Sequence, residues 1–169
     1  DRIVLSFDDT SARYPLVVDP LVIVEEATLD SSDPSTGFGA SVAVADGGAR
    51  VVVGAPQDDT SAGFEAGSAR VFVRVAGGWR AEATLVASDA APQDHFGSSV
   101  AMSNDGTRII VGSPDDDTLG GADAGSLYVF ELSGTSWTQV QNLVAPGITP
   151  SWRMGSSVAI GSDRVIAGA

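Results

Sequence analysis

The hexapeptide FGASVA at residues 38–43 returns as FGSSVA at 96–101 and as MGSSVA at 154–159, so both intervals are 58 residues. A second motif keeps the same interval, because GAP at 54–56 returns as GSP at 112–114. Motifs that return in one order at one interval indicate that a structural unit is copied along the chain.

Further landmarks follow the same frame. The segment AGSARVF at residues 66–72 returns as AGSLYVF at 124–130, and Trp79 returns as Trp137. Gly168 begins a third copy of the glycine motif near the end of the sequence. Four independent landmarks therefore support the repeat, and chance is a poor explanation for them.

One repeat contains four short apolar runs, and tight-turn residues such as the DGG at 46–48 lie between them. Gly and Asp tolerate the positive φ that hairpins require, and Val-rich runs of this length favour strands. No stretch has the i, i+3, i+4, i+7 apolar stripe of an amphipathic helix. We therefore predict four strands in the first copy, at about 39–45, 50–54, 68–74 and 79–87, with a polar loop at 56–66.

Four antiparallel strands per unit at this interval predict an all-β fold made of β-propeller blades. About two full blades fit the chain, with partial blades at each end. The predicted parts are a β lead-in at 1–20, a propeller segment at 21–169, blades at about 38–87 and 96–145, a partial third blade at 154–169, and an N-terminal closing strand at 21–29. A closed ring needs at least about four blades, so we expect the chain to be part of a longer protein or to associate.

With these motifs the sequence resembles the FG-GAP repeat family, which forms the blades of integrin α-subunit propellers and of many bacterial exported proteins. The resemblance covers about residues 27–169 and implies a β-propeller. The landmarks that carry it are Phe38, Gly39, Gly54 and Pro56, then Phe96, Gly97, Gly112 and Pro114, and finally Gly155 and Gly168.

Composition excludes several classes of protein. The net charge is −13, from 22 acidic and 9 basic residues, which disfavours nucleic acid and anionic lipid as partners. No apolar run reaches the roughly 18 residues of a membrane span, so we expect no membrane insertion. The absence of Cys excludes disulfides and thiol chemistry. Together with the resemblance, these properties predict an extracellular or cell-surface protein.

The resemblance also raises the question of calcium, because integrin-type blades often hold the ion in a D-x-D-x-D-G loop between their first two strands. Here the corresponding segments are ADGGA at 45–49, SNDGT at 103–107 and GSD at 161–163, which lack alternating oxygen ligands. We therefore expect no calcium at those hairpins. The candidate positions for a weakly bound calcium are the acidic loops after the Pro, with Asp58, Asp59, Asp115, Asp116, Asp117 and Asp123, although Asp is also a common turn residue.

The sequence contains few residues that are arranged for catalysis. His95 is the only histidine and takes the place of Gly37 and Arg153 in the repeat frame, which predicts a surface loop residue. The GSSVA at 97–101 is expected within a strand and not at a nucleophile elbow. Carboxylate pairs remain possible sources of a hydrolase centre. Trp79 and Trp137 are expected to pack between blades, whereas Trp152 breaks the frame and is the more plausible exposed aromatic.

These observations favour a non-catalytic binding or adhesion scaffold whose loops bind a protein or glycan ligand, with no cofactor or only weakly bound calcium. Two alternatives stay open, a glycosidase-like hydrolase built on carboxylates and a purely structural repeat of a large surface protein. Fold alone does not choose among them.

Overall fold

A computed structural model describes residues 27–30, 33–161 and 164–169 of the chain. It contains three antiparallel sheets, none of which closes on itself. The first sheet has β1 (Ser41–Val44), β2 (Arg50–Ala55), β3 (Ser68–Val75) and β4 (Gly78–Leu85). The second has β5 (Ser99–Met102), β6 (Arg108–Ser113), β7 (Ser126–Ser133) and β8 (Ser136–Leu143), and the third has β9 (Ser157–Ile160) and β10 (Val165–Gly168).

The all-β prediction is confirmed, and the three sheets are two full blades and one partial blade. Within each full blade the strands lie in chain order, as a meander. The helical elements among the described residues are two three-residue 3-10 turns, at Pro34–Thr36 and Asp46–Gly48. The lead-in at 1–20 lies outside the described residues, as does the closing strand at 21–29 apart from its last three residues, so both stay predictions.

The two full blades share an irregularity in strand pairing, as copies of one repeat should. In each, the third and fourth strands are out of register by one residue, between Val71 and Phe72 in the first blade and between Val129 and Phe130 in the second. A bulge of this kind bends the strand and increases its twist. Both bulges occupy equivalent positions, so the two blades share this irregularity as well as their strand order.

Phe96 lies at the centre of the junction between the first two blades and is fully buried. On one side it meets apolar residues of the first blade such as Val52 and Val71. On the other side its ring makes edge contacts with Tyr128 and Phe130 of the second blade, at centroid distances of 5.4 and 6.0 Å. Burying a side chain of this size contributes about 2–3 kcal/mol to folding.

Phe38 occupies the equivalent position in the first blade. Its ring meets Phe72 edge-on at 6.1 Å, as Phe96 meets Phe130, and the guanidinium of Arg70 lies over its face at 5.6 Å. The two landmark phenylalanines therefore have like surroundings within their own blades, as the repeat predicts.

The junction between the second and third units has the same plan. Residues Val158, Ile160 and Val165 of the partial blade pack on the cluster of Ala101, Ile110, Leu127 and Val129. Met154 takes the place of the landmark phenylalanine there. Its flexible thioether fills the same gap with less specific packing.

The landmark glycines are the points where neighbouring blades touch through their backbones. A Cβ on Gly54 would overlap the carbonyl oxygen of Gly97, and a Cβ on Gly112 would overlap that of Gly155. Gly97 and Gly155 have φ of +95° and +97°, a region that L-residues avoid. The glycine of one motif thus receives the F-G turn of the next blade, which explains why both motifs recur at one interval.

Candidate functional site

The loops at 56–66 and 114–124 join equivalent strands of adjacent blades, so they lie at the same end of the sheets. Each is closed by a pair of backbone hydrogen bonds, between Thr60 and Gly63 in one loop and between Thr118 and Gly121 in the other. The distances are 3.1 Å for both bonds of the first pair and 3.2 and 2.9 Å for the second. The loops are therefore ordered copies of one structure and not irregular connections.

Two of the carboxylates predicted as metal candidates accept hydrogen bonds from the backbone of their own loops. Asp59 Oδ1 accepts from the Glu65 amide at 2.9 Å, and Asp117 Oδ1 accepts from the Asp123 amide at 3.0 Å. Glu65 and Asp123 both have positive φ, at 50° and 51°. The carboxylates thus stabilise a backbone conformation that non-glycine residues adopt at a cost.

Asp58 and Asp116 point into the blades. Asp58 Oδ2 accepts from Ser68 Oγ at 2.5 Å and lies 3.6 Å from Arg70. Asp116 Oδ2 accepts from Ser126 Oγ and, at 2.8 Å, from Tyr128 Oη. Burial raises the pKa of Asp116, and the two hydroxyl donors partly oppose that shift.

The carboxylate of Asp115 contacts two segments of the chain, each of which leads into a different blade. Its Oδ2 lies 2.7 Å from His95 Nδ1, and its Oδ1 lies 2.6 Å from an Arg153 guanidinium nitrogen. His95 Nε2 also lies 3.6 Å from Glu65 of the preceding loop. His95 was predicted to be a surface loop residue; it lies outside the strands, and its ring takes part in a series of polar contacts that connects both loops.

The structure does not gather the six predicted metal candidates at one point. The carboxylates of Asp58, Asp59, Asp115, Asp116 and Asp117 each have a protein partner, and Asp123 donates from its backbone amide to Asp117. Throughout the described ranges, no three His, Cys, Asp or Glu side chains form a group that could hold a metal ion. A cation site at these positions stays a prediction that this geometry does not support.

The exposed parts of the loops are apolar at two places that the sequence analysis did not single out. Phe64 is 59 % exposed and Leu119 is fully exposed. The corresponding residues in the other copy are Ala122 and Ser61, so a mismatch in the repeat frame was the available signal. Trp152, predicted to be exposed, is 49 % exposed.

A comparison with known families agrees with this geometry. The sequence model of the FG-GAP repeat matches residues 79–130. The chain contains an FG-GAP repeat. The matched segment runs from the last strand of the first blade through the third strand of the second, so it contains the junction around Phe96.

The matched segment includes one of the two loops, at 114–124. No curated protein matches the chain significantly. Among the residues that the structure describes, no helix combines the length and apolar character needed to cross a membrane. Chemically, the loop end of the FG-GAP blades offers apolar side chains on a rigid, acidic base.

Proposed function

We propose that the chain is a non-catalytic scaffold of an extracellular or cell-surface protein, and that the loops at 56–66 and 114–124 bind a protein or glycan ligand. The observation that carries the proposal is the exposure of Phe64 and Leu119 on loops that hydrogen bonds hold in fixed, equivalent positions. An exposed apolar side chain on a rigid loop can bind a ligand without first losing much conformational freedom.

Charge supports the same proposal. The loops that carry the two apolar side chains also contain the acidic residues Asp59, Glu65, Asp117 and Asp123. The net charge of −13 keeps such a surface soluble and disfavours nucleic acid and anionic membranes as partners. An apolar centre with a charged rim is typical of recognition surfaces on proteins.

The alternative of a carboxylate-based hydrolase has one feature in its favour. Burial raises the pKa of Asp94 to about 6; the backbone hydrogen bond from Ala91 opposes this shift, and the nearby Asp116, Asp117 and Asp89 add to it. A raised carboxyl pKa is typical of a general acid. However, Asp94 and Asp116 are only 3 % and 6 % exposed, which leaves a substrate little access, so the binding scaffold is the better supported function.

The test uses a glycan array and an array of purified secreted proteins, probed with the full chain. Phe64→Ala and Leu119→Ala should each weaken the affinity at least about fivefold, since an anchor residue of an interface contributes more than about 1 kcal/mol. Val140→Ala is the matched control, because Val140 is also exposed but lies on β8.

Three outcomes would contradict the proposal. Binding that Phe64→Ala and Leu119→Ala leave unchanged would place the ligand elsewhere. No binding on either array would favour a structural repeat. Hydrolysis of a glycan or ester substrate that Asp94→Asn abolishes would make the protein an enzyme.

A further inference from the structure

The segment that joins the two full blades contains a buried carboxyl group. We call residues 86–98, which lie between β4 and β5, the connector. Asp94 belongs to the connector and is only 3 % exposed. Its Oδ2 accepts a hydrogen bond from the Ala91 amide at 2.6 Å, and its backbone carbonyl accepts one from Ser113 Oγ of the second blade at 2.8 Å. Both the side chain and the backbone of Asp94 are therefore bonded within the protein interior.

The charges that act on Asp94 are of its own sign. Asp116 and Asp117 of the loop at 114–124 and Asp89 of the connector each disfavour its ionised form. None of the ion pairs among the described residues includes Asp94. The charged side chains on either side of the connector contact one another instead, namely Glu65, His95, Asp115 and Arg153. Because a buried carboxylate without a cation is costly, the structure favours the uncharged form of Asp94.

The backbone on either side of Asp94 pairs with the loop at 56–66. Three amides of the connector donate to three consecutive carbonyl oxygens of that loop: Gln93 to Phe64 at 2.9 Å, His95 to Glu65 at 3.3 Å, and Phe96 to Ala66 at 3.1 Å. The first of these bonds holds the backbone of the exposed Phe64. The buried carboxyl therefore lies within the segment that fixes this side of the loop.

The connector is also strained at both neighbours of Asp94. Gln93 has a φ of 70° and His95 has a φ of 51°. Residues other than glycine adopt this left-handed region at a cost in free energy, so surrounding bonds must hold them there. The cost of a buried charge on Asp94 falls on these same few residues. The pairing of the connector with the loop is thus the part of the structure that ionisation of Asp94 opposes most directly.

We propose that ionisation of Asp94 loosens the pairing between the connector and the loop at 56–66. In the paired state Asp94 is buried and its uncharged form is favoured, whereas opening lets water reach the carboxylate and favours its charged form. A proton on Asp94 therefore stabilises the pairing, and its loss promotes opening. The consequence for recognition, that Phe64 is held more firmly at acidic than at neutral pH, rests on the proposed function. The loosening itself does not.

The next repeat contains an internal control, because the same pairing occurs there without the carboxyl group. Trp152 takes the place of Asp94 in the repeat frame, and its neighbours Ser151 and Arg153 also have positive φ, of 63° and 56°. Three amides again donate to three consecutive carbonyl oxygens: Ser151 to Ala122 at 2.9 Å, Arg153 to Asp123 at 3.0 Å, and Met154 to Ala124 at 2.9 Å. The two pairings have the same plan, and only the first contains a buried carboxyl group.

The experiment measures hydrogen–deuterium exchange of the full chain, without any ligand, from about pH 4.5 to about pH 7.5. Each rate is divided by the intrinsic rate of the same amide at that pH. Burial raises the pKa of Asp94 from 3.8 to about 6, and each pKa unit is a factor of about ten in the opening equilibrium. A raised pKa gives stability that is complete below the ordinary value and is lost as pH rises through the raised one.

The connector and the control segment should therefore respond differently. Protection of the connector amides, those of Gln93, His95 and Phe96, should fall at least about tenfold between about pH 4.5 and pH 7 and then level off. Protection of the amides of Ser151, Arg153 and Met154 should stay constant over the same range.

Two variants identify the group responsible. Asp94→Asn does not ionise and can still accept from the Ala91 amide, so its connector should stay protected at every pH in the range. His95→Gln is the matched control, because a histidine also changes charge near neutral pH, and it should keep the pH dependence of the wild-type chain. Circular dichroism checks that both variants are folded.

Three results would overturn the inference. One is a connector whose protection does not depend on pH in the wild-type chain, or depends on it equally in Asp94→Asn. Another is an equal fall in the control segment, which would indicate a general loosening of the blades. The third is a pH dependence that His95→Gln removes, which would assign the effect to His95. Absence of binding on the arrays, with the expected exchange, would refute the proposed function and leave the loosening established.

Discussion

Trp137 of the second blade donates a hydrogen bond from its indole Nε1 to Glu82 Oε2 of the first blade, at 3.1 Å. The same carboxylate accepts two bonds from Arg50 of its own sheet, at 2.8 and 3.1 Å. These bonds join β4 to β8 at the outer edge of the junction, far along the sheets from the landmark glycines. Trp137 therefore contributes a polar bond between the first two blades as well as packing.

Replacing that donor should weaken the junction. We expect Trp137→Phe to lower the free energy of unfolding by about 1 kcal/mol or more, from the lost hydrogen bond and the smaller ring. A double-mutant cycle with Glu82→Ala should give a coupling of about 0.5–1.5 kcal/mol in urea unfolding. Trp79→Phe is the control, since the bond to Glu82 comes from Trp137, and it should show no coupling to Glu82→Ala.

The coupling should also depend on pH. The bonds from Arg50, helped by Trp137, lower the pKa of Glu82 against the opposite effect of burial. A lowered folded-state pKa gives stability that is present above the ordinary value of 4.5 and is lost as pH falls through the folded-state value. A coupling that stays the same from pH 7 down to the onset of acid unfolding would contradict this account.

The glycine motif makes a second prediction, about backbone contact. An alanine in a strand is usually more stable than glycine by about 0.5–1 kcal/mol. At Gly54 and Gly112 the sign should reverse, because the new Cβ would overlap a carbonyl oxygen of the next blade. We expect each Gly→Ala variant to lose at least about 2 kcal/mol in thermal or urea unfolding.

Gly161→Ala is the matched control for this series. The nearest atom to a Cβ on Gly161 is the Arg164 carbonyl oxygen at 3.8 Å, an ordinary contact distance, and its φ is not in the left-handed region. It should therefore be neutral or stabilising. A Gly54→Ala variant as stable as Gly161→Ala would show that the blades do not meet at this glycine.

A third prediction concerns Asp94. Its folded-state pKa of about 6 lies above the ordinary 3.8, mainly because burial disfavours the charged form. The folded state therefore holds an extra proton between these values, and stability from this group is complete below about pH 4 and is lost as pH rises through 6. Asp94→Asn does not ionise and can still accept from the Ala91 amide, so it should avoid that loss.

Urea unfolding at two pH values checks this prediction. Asp94→Asn should be more stable than wild type by about 1–2 kcal/mol at pH 7 and nearly equal to it at pH 4. Asp46→Asn is the control, because Asp46 is exposed, and it should change little at either pH. The same gain at both pH values would mean that ionisation of Asp94 has no part in the effect.

The fourth prediction concerns the buried pair of Tyr128 and Asp116. Tyr128→Phe keeps the ring that packs on Phe96 but removes a donor to a carboxylate that is 6 % exposed. We expect a loss of about 1–3 kcal/mol at neutral pH, the usual cost of leaving a buried acceptor less well bonded. The variant should lose less at low pH, where Asp116 is protonated.

The double variant Tyr128→Phe with Asp116→Asn provides the check on cause. If the cost comes from the buried charge, the second substitution should recover part of the stability lost in the first. Strictly additive losses would attribute the effect of Tyr128→Phe to packing alone.

Much of the scaffold was predictable because its strands and turns depend on local sequence patterns, and these patterns are repeated. Alternating small and apolar residues with glycine turns specify a strand at 41–44, and the same pattern 58 residues later specifies another. The predicted strand boundaries differ from the observed ones by at most two residues. Only sequences that fold as copies of one unit repeat their landmarks in this way.

The candidate site was less predictable. The acidic loops were found from their composition, but Asp58 and Asp116 point into the blades while Asp59 and Asp117 bond within the loops. Adjacent residues in an extended chain face opposite sides, so a run of Asp does not state which carboxylates converge. Phe64 and Leu119 belong to no motif; the sequence marks them only by a mismatch in the repeat frame, and the structure shows that they are exposed.

By itself, the sequence determined the repeat, the strands and the positions of the tight turns, since these depend on residues near one another in the chain. The tertiary structure decided which residues distant in the chain meet, among them Gly54 with Gly97, Glu82 with Trp137 and His95 with Asp115. Those contacts join residues from 20 to 55 positions apart. They exist because the sheets stack face to face, and stacking is a property of whole blades that no single segment encodes.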